Sequence, residues 1–147
     1  FPTEFPKDWG NEFRQMAHEY GATTGRPRRC GWFDAMIARY AARVNGMTSL
    51  AISRMDTLDE LASLRICVEY KDRDKVLKHL PSDSHLLDHV EAVYEEMDGW
   101  QSPTSSARTW DDLPPKARAY ITRISELTGV PVGMVSVGSR RDETILL

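Results

Sequence analysis

Short helix-type and strand-type signals alternate from one end of the chain to the other, with no internal repeat and no low-complexity segment. Alternation of this kind selects an α/β architecture, in which helices cover the faces of a sheet. With 147 residues, 41% hydrophobic and 28% charged, the chain has the size of one domain and enough apolar material for a core. One α/β unit over residues 1–147, a mixed sheet flanked by helices, is the expected fold.

The pattern places the elements as follows. Asn11 to Glu19 is a short amphipathic stretch, and Asp34 is positioned to cap a helix over Ala35 to Val44. Met36, Ile37, Tyr40, Ala41 and Val44 recur there at helical spacing before Asn45-Gly46 ends it. Met47 to Ser53 reads as a buried strand, Asp56 to Ala62 as a short helix, and Leu64 to Tyr70 as a second strand. Lys71 to Lys78 is charged and expected on the surface. Ser84 to His89 has a helical pattern, Ala92 to Glu95 reads as a short strand, and loops dominate from Gly99 to Pro115. Pro115 suits the first position of a helix over Lys116 to Leu127, ended by Gly129 and Pro131, and Val132 to Val137 with Thr144 to Leu147 read as a closing hairpin.

The segment Gly21-Ala22-Thr23-Thr24-Gly25-Arg26-Pro27-Arg28-Arg29-Cys30-Gly31-Trp32 sets two hydroxyls and three guanidinium groups in a glycine-bounded loop. It presents many donors and few acceptors, which suits an anion, and arginine holds planar carboxylates and phosphates through two parallel bonds. A solvated basic turn would have the same charge. It would not need paired glycines, a proline in the middle, or the apolar exit Trp32-Phe33 that anchors the loop on a core.

Bulk properties exclude other classes. A net charge of −3 gives no electrostatic footprint for nucleic acid. No apolar run reaches the roughly 18 residues that span a bilayer, and the start of the chain has no basic region followed by an apolar one, so no membrane partner and a soluble, cytoplasmic setting are expected. Cys30 and Cys67 read as free thiols. His85 and His89 are four apart with His79 nearby, but no further ligand stands at zinc spacing, so no metal site is expected. Trp100 and Trp110 read as core or loop anchors.

The loop GATTGRPRRCGWFD resembles the substrate loop of the adenylosuccinate synthetase family. Phe1-Pro2-Thr3-Glu4 resembles the segment before it, and Ser53-Arg54-Met55-Asp56, Gly99-Trp100, Trp110-Asp111-Asp112-Leu113-Pro114-Pro115 and Ser136-Val137-Gly138 resemble later blocks in the same order. The resemblance implies the C-terminal third of a larger α/β nucleotide-binding enzyme. A first residue other than methionine agrees with a cut piece, and no GxxxxGK phosphate loop occurs here. It further implies a GTP-dependent ligase of purine nucleotide biosynthesis that joins IMP to L-aspartate and acts as a homodimer. Its catalytic residues and its Mg2+ site would lie outside this chain, so the chain alone is expected to be inactive.

The same resemblance implies residue roles. Ala22, Thr23, Thr24, Gly25, Arg26, Pro27 and Arg28 would hold aspartate, with Arg26 also reaching IMP and Arg28 the GTP side. Arg54, Met55, Asp56, Ser136, Val137 and Gly138 would contact GTP. Asp56 follows an apolar strand, and open α/β sheets place ligands at the carboxyl ends of strands. Its carboxylate can accept from guanine N1–H and the exocyclic amine, a donor pair that adenine lacks. Without the resemblance, the favoured reading of Asp56 is a cap for a helix over Thr57 to Ala62. Two positions depart from the family: Arg54-Met55-Asp56 stands where Lys-Leu-Asp is implied, and Ser139-Arg140 where bacterial members carry Pro and Asp. The alternative function is a noncatalytic anion- or nucleotide-binding module.

Overall fold

A computed structural model describes residues 1–147, the side chain of Ser84 apart. The first helix, α1 (Lys7–Met16), starts directly after Pro6, four residues before the expected start, and ends before Glu19. Phe13, one turn after Trp9, packs its ring edge-on to Phe5 at 5.2 Å, and Phe5 also meets Trp32 at 4.9 Å. The aromatic staple, together with Pro6 before the helix and Asp8 in its first turn, fixes where α1 begins.

Strand β1 (Phe33–Asp34) leads straight into α2 (Ala35–Asn45). Asp34 Oδ1 accepts hydrogen bonds from the Met36 and Ile37 amides at 3.0 and 3.1 Å, the cap expected of it. Strand β2 spans only Leu50–Ile52 and is half-buried, where a longer buried strand was expected, because it is an edge strand paired to one neighbour. A 3-10 helix (Met55–Leu58) follows in place of the helix expected over Asp56 to Ala62. Strand β3 (Ser63–Asp72) then turns through Arg73 and Asp74 into β4 (Lys75–Leu77), so the charged stretch expected on the surface is an antiparallel hairpin. Arg73 takes the turn at φ 53°, a position usually left to glycine or asparagine. The helical pattern at Ser84 is a 3-10 helix, Ser84–Asp88, ahead of β5 (Glu91–Asp98). Next come α3 (Pro115–Thr128), with Pro115 in its first turn, β6 (Val132–Ser136) and β7 (Thr144–Leu146).

The strands form two mixed sheets. In one, β3 pairs parallel with β1 and antiparallel with β4 and β5. In the other, β6 pairs parallel with β2 and antiparallel with β7, the expected closing hairpin. Helices α2 and α3 pack on one another, α2 covering β3 and α3 covering β6. The main core joins Leu64 and Ile66 of β3, Ile121 and Ile124 of α3, and Val132 and Val135 of β6. Cys30 and Cys67 are both free. Trp100 is a buried loop anchor: its indole N–H donates to Asp59 Oδ1 at 2.7 Å, and the same carboxylate accepts from the Thr104 amide at 2.7 Å. No helix is long and apolar enough to cross a membrane.

Candidate functional site

Because β2 and β6 run parallel, with Ile52 opposite Val135, their carboxyl ends open on the same edge. Arg54 leaves β2 in the left-handed conformation (φ 58°, ψ 44°), and its amide donates to Ser136 Oγ at 2.9 Å. That bond ties the two segments expected to contact one nucleotide. Asp56 sits in the first turn of the 3-10 helix and points its half-buried carboxylate at Arg54, which donates from Nε at 3.1 Å to Oδ1 and from Nη2 at 3.2 Å to Oδ2. It does not cap that helix; Arg54 occupies the cap position. Met55 and Val137 are buried as whole residues, neither lines the cleft described below, and the Val137 amide is already bonded to the Glu143 carbonyl at 2.9 Å. At Gly138 a Cβ would stand 2.2 Å from Glu143 Oε2, so the glycine makes room for a carboxylate. Downstream, Ser139 and Arg140 feed a short 3-10 helix, Arg141–Glu143, whose Glu143 Oε2 accepts from the Arg140 amide at 2.7 Å.

Beside this edge lies a cleft of about 530 Å³, lined by Met16 of α1, Arg54, Asp56, Thr57 and Asp59, and closed by Gln101 to Pro103. Asp59 thus serves twice, lining the cleft and holding the 100–104 segment that walls it. Neither Asp59 nor the wall was foreseen, since an isolated aspartate and a loop of small polar residues have no periodicity to read.

The arginine loop projects from the end of α1, with residues 22–29 exposed. Its neck is a narrow bridge of Tyr20 to Pro27, closed by the Gly21 amide on the Arg26 carbonyl at 2.8 Å. Gly25 turns the tip at φ 63°, and Thr24 Oγ1 accepts from the Arg26 amide at 3.3 Å. The three arginines differ. Arg28 pairs with Glu19 at 2.8 Å, and Arg29 is held by Glu4 and lies over the Phe1 ring. Arg26 has no carboxylate partner among the described residues. The exit Trp32-Phe33 packs against the main core, as the anchor reading required.

Glu19 links loop and cleft. It holds Arg28, and its charge also reaches Arg54, whose guanidinium is held even more firmly protonated than usual, first by its bonds to Asp56 and then by Asp56, Glu19 and Glu143 as anions. The signal for Glu19 was absent from the sequence because it lies just outside the glycine-bounded motif. Among the described residues no three His, Cys, Asp or Glu side chains converge as metal ligands would.

Comparison with known proteins gives one consistent result. The sequence model of the family described as adenylosuccinate synthetase matches residues 1–145. The chain is 50% identical over all its 147 residues to the adenylosuccinate synthetase of Geotalea daltonii, covering 34% of that protein. To that of Geobacter sulfurreducens it is 48% identical, again over 34% of the relative. The structure of fully ligated adenylosuccinate synthetase from Plasmodium falciparum superposes with a TM-score of 0.93 at 32% identity, over 100% of this chain and 36% of that one. The chain therefore spans about a third of the length of the relatives it matches.

Proposed function

The chain belongs to the adenylosuccinate synthetase family, and from that premise we propose that it is the part of a GTP-dependent ligase that holds L-aspartate and the guanine base. The reaction is IMP + L-aspartate + GTP to adenylosuccinate + GDP + phosphate. The γ-phosphoryl group passes to the 6-oxygen of IMP, and the aspartate amine then displaces that phosphate. Residues 1–147 act as one α/β unit carrying both the loop and the base-recognising edge.

The observation that carries this reading is the meeting of Arg54-Met55-Asp56 with Ser136-Val137-Gly138 at one sheet edge, through the bond from the Arg54 amide to Ser136 Oγ. A carboxylate on that edge matches the paired donors of guanine. In the loop, Arg26 is free to bridge the aspartate carboxylate and IMP, while Thr23 and Thr24 donate hydroxyls and Ala22, Gly25 and Pro27 shape the backbone. Arg28, next to Glu19, spans from aspartate toward the nucleotide. Both chemical steps gather negative charge, and fixed guanidinium groups stabilise it without reorganising. Magnesium would neutralise the phosphates of GTP. We place its site and the acid-base pair outside this chain, the full-length protein as a homodimer, and the enzyme in the cytoplasm.

The test is adenylosuccinate formation, followed by ultraviolet absorbance, by the full product of the reading frame beside residues 1–147 alone. Activity in the first that needs GTP, IMP and aspartate, with none in the second, is expected. An inactive full-length product would return the loop to a noncatalytic anion-binding role.

A further inference from the structure

Guanidinium and the Watson–Crick edge of guanine offer a carboxylate the same thing: two roughly parallel N–H donors in one plane. Arg54 makes that approach to Asp56, with Nε 3.1 Å from Oδ1 and Nη2 3.2 Å from Oδ2. We propose that Arg54 is an internal stand-in for the base, occupying the Asp56 carboxylate until a guanine nucleotide displaces it, so that it sets nucleotide affinity. This rests on the reading of Asp56 as the base-recognising residue.

Three observations support it. The backbone of Arg54 is pinned: its amide donates to Ser136 Oγ at 2.9 Å, and its carbonyl accepts from the Thr57 hydroxyl at 2.8 Å and amide at 3.1 Å. Only the side chain is left to move, so the displaced guanidinium stays at the cleft. Both partners line that cleft and are only partly exposed, 34% for Arg54 and 23% for Asp56, so the pair is less screened than a surface one. The chemistry also separates arginine from lysine. An ammonium is a point donor that cannot take both carboxylate oxygens in the guanine-like way.

The experiment measures binding of a fluorescent GDP to the full-length protein, without turnover, for wild type, Arg54→Met, Arg54→Lys and Asp56→Asn, at low and high salt. Arg54→Met is expected to bind GDP about three- to fivefold tighter, the worth of one partly exposed ion pair, with Arg54→Lys between. The gap between wild type and Arg54→Met should narrow as salt weakens the pair. Asp56→Asn should lose the preference for GDP over ADP. Unchanged or weaker GDP binding in both Arg54 variants, with Asp56→Asn still losing its preference, overturns the stand-in role and leaves Asp56 recognition intact. Retained preference in Asp56→Asn overturns the base-recognition reading and this inference with it. If Arg54→Met does not fold, Arg54→Lys decides by the same sign of change.

Discussion

Single side chains in this molecule differ by what already holds them. Arg28 and Arg29 are committed to Glu19 and Glu4, whereas Arg26, just after the Gly25 turn, is exposed with no carboxylate partner among the described residues. A ligand carboxylate would therefore meet Arg26 without first breaking an ion pair. Arg26→Ala in the full-length protein is expected to raise the Michaelis constant for aspartate about ten- to a hundredfold, the worth of charge-assisted bonds, and steady-state kinetics against aspartate checks it. The two thiols differ in a parallel way. Burial, with the Asp34 charge second, pushes the Cys67 thiol up to about 12, while Cys30 is raised chiefly by burial but remains half-buried at the loop exit. At pH 8, iodoacetamide should label Cys30 and spare Cys67 in the native chain, and both should react in urea; mass spectrometry of the peptides distinguishes the outcomes. Equal native labelling would contradict the packing around Cys67.

At the scale of elements, Asp34 joins a strand, a helix and the central strand of a sheet. Its Oδ1 caps α2, and its Oδ2 accepts from the buried Tyr70 hydroxyl of β3 at 2.6 Å. Burial, then this bond, raises the Tyr70 hydroxyl above its ordinary range. Asp34→Ala removes the cap and strands the hydroxyl, so urea unfolding should show a loss of about 2–4 kcal/mol, and Tyr70→Phe a smaller one. The cap was legible in the sequence because aspartate before an apolar periodic run has one local meaning. So were α3, opened by Pro115 and followed by Gly129, and the β6–β7 hairpin. The β3–β4 hairpin was not, since Arg73-Asp74 lacks a turn signature and its geometry is imposed by pairing. The start of α1 was missed for a related reason: Phe5 and Trp32, distant in sequence, decide it. At the site, the motif residues were readable one segment at a time. Their meeting, and the parts of Glu19 and Asp59, depend on contacts across the fold.

Across the whole molecule, the two sheets share no strand and are joined by helix packing and by a few ion pairs of long reach. Arg123 of α3, the helix that covers β6, donates to Glu95 of β5 through Nε and Nη2, both at 2.8 Å, and to Glu126 at 2.8 Å. Its bonds hold the Glu95 carboxyl below the ordinary range against a smaller effect of burial. A depressed folded value means that the anion is favoured by folding. The gain is complete above the unfolded value, about 4.3, and is lost as pH falls through the lower folded value. Each partner is 34% exposed, so solvent screening limits the pair to about 1 kcal/mol. Unfolding by urea at a series of pH values should show stability falling below about pH 4.5. In Arg123→Met the fall should be shallower and the stability at pH 7 about 1 kcal/mol lower. If the variant matches wild type at both ends of the series, the sheets are held by apolar packing, in which Ile121 and Ile124 of α3 share one core cluster with Leu64 of β3 and Val135 of β6.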